Sequence, residues 1–410
     1  MKKFFALLLS LAMVLALVAC GQKDPTPDTP DTPDDPQTKV EYKVAMITDY
    51  GDITDQSFNQ TTYEACKAFA EDNSIEFSYF KPAGDNTADR VAMIEKAVDE
   101  GFNVIVMPGY AFGGAIVEAA PEFPDVKFIA LDVAAGDLLE TAVAKAGETY
   151  DYTPENWDLN KYVDMSNVYC AVYQEELCGY MAGYAAVKLG YKNLGFLGGM
   201  SVPAVVRYGY GFVQGVDAAA AETGTENVTL NYVYGGQFFG DADITAVMDT
   251  WYQGGTEVVF ACGGGIYTSA VDAAKKVGAK VIGVDVDQAG VIAKYAGVDG
   301  MTVTSAMKGL YPATYDTLTD VIVNGNWDKY VGKIATLGLV SGTDPEANYV
   351  QIPMGDGTQW SDSFTQDDYK AMVKDMFDGK ITVSNNTSSD VSAADFATVI
   401  TVDDQGSIKG

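Results

Sequence analysis

The chain contains no histidine. That excludes Ser-His-Asp and Cys-His catalysis, histidine-bearing zinc sites and a histidine pH switch. Basic residues are also scarce: 26 Lys and Arg stand against 57 Asp and Glu, a net charge of −31. Such a surface repels a phosphate backbone, which argues against nucleic-acid binding. There is no GxxxxGK[ST] phosphate loop and no D-x-D-x-D-G calcium loop. Gly209, Gly211 and Gly215 are not spaced as a dinucleotide fingerprint, and helix packing is their expected role. Gly179 and Gly183 form a GxxxG pair, which in a helix with no membrane-spanning run points to close packing as well. Tryptophan is rare at 4 residues, but 25 Tyr and 18 Phe supply enough rings for both a core and an aromatic-lined pocket.

With 410 residues, 48 % of them hydrophobic, the chain has a folded composition and length for roughly two or three domains. The start is different. Lys2 and Lys3 precede an apolar run from Phe4 to Val18, too short for a comfortable span of about 20 residues and suited to a signal peptide. The run ends Leu17-Val18-Ala19-Cys20-Gly21, which resembles a bacterial lipobox and predicts cleavage after residue 19 and lipidation of Cys20. Two acyl chains plus a lipidated amino terminus would hold the protein at a membrane. The Pro, Asp and Thr repeat that follows predicts an extended linker over 20–41, suited to a stalk on a Gram-positive cell surface. Cys66, Cys170, Cys178 and Cys262 lie in apolar patterns without a CxxC and read as buried thiols, with a Cys170–Cys178 disulfide left open.

From Glu41 onward short apolar strands alternate with amphipathic helices, the pattern of parallel sheets covered on both faces. Ten predicted strands divide best into two sheets of five or six. The strand ends carry Asp49, Asp132, Asp285, Gly109 and the glycine run Gly263-Gly264-Gly265. Ligands sit outside the carboxyl ends of such strands, and carboxylates with glycines suit hydroxyl recognition and close backbone approach. Ser57-Phe58-Asn59-Gln60 has the S-x-x-Q form of a capping box, so a helix is predicted to start there. A further helix is predicted over Lys308–Asn324, and the last twenty or so residues are polar with no assigned role.

Five segments taken in order carry a resemblance: Val44–Asp49, Asp55–Gln60, Glu175-Glu176 with Gly179–Gly183, Gly283–Gln288, and Thr304–Lys308. Together they resemble the basic membrane protein family of ABC-transporter substrate-binding lipoproteins, which includes the purine nucleoside receptors, over roughly residues 42 to 385. The resemblance implies an α/β type I periplasmic binding protein fold: two Rossmann-like lobes, a three-stranded hinge, and ligand between the lobes. The amino-terminal lobe is expected at 42–172 plus 306–328. The carboxy-terminal lobe is expected at 173–304 plus 330–358, followed by a helix and tail over 359–410. It implies no catalysis and no cofactor. The implied partners are a purine nucleoside, the ABC permease subunits and the membrane that holds the lipid, with the protein itself a monomer.

The family's binding residues map by position. Phe58 corresponds to one stacking ring and Asn59 to the polar group beside it. Asp49 corresponds to the aspartate near the base, and Asp132 to the acid at the end of the fourth strand. Phe238 corresponds to the second stacking ring, with Phe239 the alternative. Gly263 and Gly264 correspond to the glycine loop near the sugar, Asp285 to the ribose-binding acid, and Lys308 to the lysine beyond it. The purely structural alternatives are helix caps for Asp49 and Asp285, a loop acid for Asp132 and a solvated helix residue for Lys308. A sensor or adhesin, or a sugar or autoinducer receptor, would use the same fold. The Tyr- and Asp-rich stretch within Val133–Val163 departs from the family pattern and is expected to be either a lid over the cleft or an external loop, the loop being favoured.

Overall fold

The computed structural model describes residues 41–409. The signal peptide, Cys20 and all but the last residue of the linker lie outside the described residues. The strands are β1 Lys43–Ile47, β2 Glu76–Phe80, β3 Val104–Pro108, β4 Lys127–Leu131 and β5 Val168–Tyr173. Next come β6 Asn193–Gly198, β7 Thr229–Tyr234, β8 Val258–Cys262, β9 Lys280–Asp285 and β10 Thr302–Lys308. The last are β11 Lys333–Leu337, β12 Val350–Gln351 and β13 Thr401–Ser407. Helices link most of them. Every residue of β3 and β8 is buried, as expected of parallel strands covered on two faces.

Two sheets form. One has six strands in the order β11-β5-β4-β3-β1-β2, all parallel. The other has seven in the order β12-β10-β9-β8-β6-β7-β13, parallel except where β12 runs against β10. The strand order reverses between β1 and β3 in the first sheet and between β6 and β8 in the second. Crevices open at the carboxyl ends of strands at such switch points. Asp49 and Gly109 stand at the first, and Gly199 and Gly263 at the second.

The chain crosses between the sheets three times: after β5, after β10, and between β11 and β12. The crossings lie side by side. Gln174 N donates to Leu337 O (3.0 Å), Tyr349 N to Gly338 O (3.0 Å) and Gly309 N to Tyr349 O (2.7 Å). This is the three-stranded hinge of a type I binding protein.

The structure corrects some expectations and decides others that were open. Residues 330–358 do not all belong to the second lobe, because β11 pairs with β5 in the first sheet. Lys308 does not begin a helix. It ends β10, and the helix after it runs Leu310–Leu318 and continues as a π turn over Thr319–Val323. Cys170 and Cys178 are free buried thiols, so no disulfide joins them. The polar tail includes β13, which extends the second sheet alongside β7. The Tyr-rich stretch packs outside the cleft on the helix Ala135–Lys145, with Tyr150, Trp157 and Tyr162 grouped around Leu139 and Val143.

Two helices of the second lobe, Glu175–Lys188 and Pro203–Thr223, pack almost backbone to backbone. Added methyl groups at Gly179 and Gly183 would overlap the carbonyl oxygens of Tyr208 and Phe212. Methyl groups at Gly211 and Gly215 would overlap those of Glu176 and Tyr180. The glycines therefore interlock reciprocally, and the obstruction is main chain that no rotamer change relieves. Gly215→Ala is expected to lower stability by roughly 1–3 kcal/mol, the usual cost of overpacking a tight core. Urea unfolding monitored by circular dichroism measures it, and an unchanged midpoint would contradict this packing.

Candidate functional site

A cavity of about 320 Å³ lies between the carboxyl ends of the two sheets, within the usual range for a small-molecule pocket. All nine residues nominated from sequence line it: Asp49, Phe58, Asn59, Asp132, Phe238, Gly263, Gly264, Asp285 and Lys308.

Its deepest feature is a buried charge cluster. Lys308 is only 4 % exposed at its side chain. Its ammonium pairs closely with Asp132 from the end of β4, lies 3.5 Å from Glu175 Oε1 at the second-lobe end of a hinge crossing, and 3.7 Å from Asp285 Oδ1 at the end of β9. It also sits over the Phe58 ring at 4.7 Å and the Tyr173 ring at 5.4 Å. Burial alone would lower the lysine pKa. The carboxylates of Asp132, Asp285 and Glu175 outweigh it and hold the ammonium well above the ordinary range. Glu175 also accepts from Arg207 Nε (2.7 Å). Two cations thus serve three acids. Burial, with repulsion from Glu175 and Asp285, pushes Asp132 up to about 7 despite its lysine. Asp132 Oδ1 is buried with no partner.

Asp285 is engaged across the cleft. Its Oδ2 accepts from Ser57 Oγ of the first lobe (2.5 Å) and its Oδ1 from Tyr208 OH (3.2 Å). Gln288 Nε2 donates to Gln56 O (3.2 Å), a second link between the lobes. The structure is therefore a closed arrangement. Ser57 does not cap the helix it precedes, correcting the capping-box reading. Asp55 does so instead, accepting from Ser57 N, Gln60 N and Asn59 N at 2.9–3.0 Å. Gln56, Asp132 and Asp285 all adopt left-handed φ of 58–65°. Such strain in non-glycine residues concentrates where the surrounding structure imposes it, here at the lobe contact and the strand ends.

The first-strand acid is held by its neighbours. Asp49 Oδ1 accepts from Tyr50 N (2.6 Å), Gly51 N (2.7 Å) and Asn59 Nδ2 (3.1 Å). Asn59 is buried and also donates to Asp55, so it orients two acids at once. On the opposite lobe the Phe238 ring lies against Gly199 and Gly263. A methyl group at Gly263 would come within 2.8 Å of that ring, and its φ of 144° also favours glycine. Phe239 is 54 % exposed at the rim. The seating of Phe238 makes it the stronger candidate of the two rings.

Sequence reasoning missed Arg207, Tyr208, Tyr50, Tyr110 and Asp137, all of which line the cavity. Arg207 and Tyr208 sit in an apolar, glycine-rich helix whose periodicity reads as core. Asp137 and Ala134 are the only cavity-lining residues of the 133–163 stretch. Burial pushes the Asp137 carboxyl up to about 7, against the backbone N–H of Ala134 and the charge of Arg207, which lower it.

A family model described as the PnrA-like ABC transporter substrate-binding protein matches residues 42–345. The ABC transporter nucleoside-binding protein BmpA of Lactococcus lactis is 25 % identical, over 92 % of this chain and 96 % of that protein. The CD4+ T-cell-stimulating antigen of Listeria monocytogenes is 28 % identical, over 78 % of this chain and 84 % of its own. An ABC transporter solute-binding protein from Aeropyrum pernix has a similar fold, with TM-score 0.59 and 19 % identity over 84 % of this chain and 88 % of that one.

The folded state binds the Asp137 proton more tightly than the unfolded chain, whose carboxyl titrates near 3.8. This group's contribution to stability therefore falls as pH rises from about 4 through about 7. Asp137→Asn keeps an acceptor for Ala134 N. Its thermal midpoint, relative to the parent protein, is expected to rise between pH 4 and pH 8. A difference that is flat or falls with pH would show that Asp137 is not strained by ionisation.

Proposed function

This chain belongs to the PnrA-like family of ABC transporter substrate-binding proteins, and from that premise we propose that its cargo is a nucleoside, with a purine favoured. The family places it in a transport system with permease partners and a small-molecule ligand, and it is not an enzyme. The observation that carries the proposal is the pairing of two kinds of group in one cavity. Phe58 from one lobe and Phe238 from the other line it, together with a buried acceptor, Asp132 Oδ1, that no protein donor satisfies.

An aromatic ring is worth roughly 1–3 kcal/mol to a stacked base. A buried acceptor without a partner favours a ligand that brings a donor, and a hydrogen bond to a charged group is worth about 1.5–3 kcal/mol. A ribose supplies hydroxyl donors and a base supplies the flat ring, so a nucleoside answers both requirements. Asp49, Asp132 and Asp285 with Lys308 would take the polar edges, and Phe58 and Phe238 the base faces. Binding is coupled to lobe closure because Phe58 and Asp132 belong to one lobe and Phe238 and Asp285 to the other. We place the protein, as a monomer, on the outer face of a membrane through lipidated Cys20, a reading supported by Leu17–Cys20 and the linker after it.

Thermal unfolding of protein first denatured and refolded, then mixed with guanosine, inosine, adenosine, uridine, cytidine, guanine, ribose or galactose, tests this. A nucleoside at 100 times its dissociation constant should stabilise by about 2.7 kcal/mol. Ribose and free guanine should shift the midpoint far less. Phe58→Ala should weaken nucleoside binding by about 1–3 kcal/mol, roughly five- to 150-fold in dissociation constant. A response to galactose alone would make the cargo a sugar, and no response to any of these would place it elsewhere.

A further inference from the structure

The segment Gly235–Asp241, which carries Phe238, is held from two sides. On the cleft side Phe238 rests on Gly199 and Gly263. On the far side lies the carboxy-terminal strand, beyond residues 42–345 that match the family model. There β13 pairs with β7, and Ile408 N donates to Tyr234 O (2.8 Å) immediately before the segment begins. Lys409 Nζ then donates to Gln237 Oε1 (3.0 Å) and pairs closely with Asp241. Gln237 Nε2 donates to Phe239 O and to Asp241 Oδ2, both at 2.9 Å. Asp241 caps the next helix through Ile244 N (3.0 Å). Gly236 has φ 78°, and a methyl group there would come within 2.8 Å of the Lys409 backbone. The strand end is thus moulded to this segment.

We propose that the carboxy-terminal strand is a positioning element of the binding site, with Lys409 fixing the loop that presents Phe238 to the ligand. Pre-ordering a loop lowers the entropy that binding must otherwise overcome. The effect on binding rests on the nucleoside reading above, whereas the tether itself does not.

The test uses Lys409→Met and Lys409→Arg in the purified protein. Lys409 is partly exposed, so the methionine variant is expected to fold with an unchanged thermal midpoint. Hydrogen exchange without ligand should quicken in Lys409→Met at amides 235–241 and return toward the parent rate in Lys409→Arg. Guanosine affinity by calorimetry should fall about three- to fivefold in Lys409→Met and recover in Lys409→Arg. Asp241→Asn keeps the cap on Ile244 but removes the charge and the oxygen that accepts from Gln237 Nε2, so exchange at 235–241 should quicken at least as much as in Lys409→Met. Unchanged exchange at 235–241 overturns the proposal. So does faster exchange with unchanged affinity in a protein that binds guanosine. If the parent protein binds no nucleoside, the cargo reading fails, and the exchange result alone still decides whether the strand holds the loop.

Discussion

The buried ammonium of Lys308 is the contact on which the closed site depends. Asp132, Glu175 and Asp285 approach it from the first sheet, the second-lobe end of a hinge crossing and the second sheet. Without the cation, three acids would share a space that water scarcely reaches. Removing one partner from a buried ion pair costs about 3–5 kcal/mol, because the remaining charge is stranded. The cluster therefore fixes the distance between β4 and β9 as well as the local charge. Lys308 can do this because it ends β10, where the chain is about to cross back to the first lobe. A lysine at the first position of a helix, as the sequence pattern suggests, would not end a strand at the crossing.

Rigidity elsewhere lets this contact act as a pivot. The interlocked glycines of Glu175–Lys188 and Pro203–Thr223 hold Glu175 and Arg207 in register, since one helix carries each. The three crossings are hydrogen-bonded to one another, so they bend together. Besides Lys308 and Asp132, the lobes touch through direct links such as Ser57 to Asp285, Gln288 to Gln56 and Tyr110 to Met200. A hydroxyl on a carboxylate is readily exchanged for a ligand hydroxyl of the same geometry. The Ser57–Asp285 bond thus marks where a ribose would compete and where closure would be felt.

What was legible in the sequence follows from how local each signal is. The acids at Asp49, Asp132 and Asp285 stand directly after apolar runs, so their place at strand ends could be read from neighbours alone. Ser57 was misread because S-x-x-Q is a local pattern, while its partner Asp285 is 228 residues away and its rival Asp55 two residues earlier. Arg207 was hidden in a glycine-rich apolar helix, and its ion-pair partner Glu175 comes from another helix. The strands β11 and β13 were missed for one reason. Both lie at sheet edges with half-exposed or exposed side chains, so backbone pairing makes them strands and no hydrophobic period announces it.

The charge of the cavity narrows what it can hold. Asp49, Asp52, Asp55, Asp132, Asp137 and Asp285 line it, against Lys308 and Arg207 as its only cations among the described residues. Both cations are already committed, Lys308 to three acids and Arg207 to Glu175. A phosphate would enter a cavity lined by six acids and find no uncommitted cation among its lining residues to receive it. A neutral molecule with hydroxyl and N–H donors meets no such repulsion, and one of its donors can satisfy Asp132 Oδ1, the buried lining acceptor that has no partner. For the nucleoside proposed above, the same cluster would favour the unphosphorylated form, so selectivity and the contact between the lobes would draw on one set of charges.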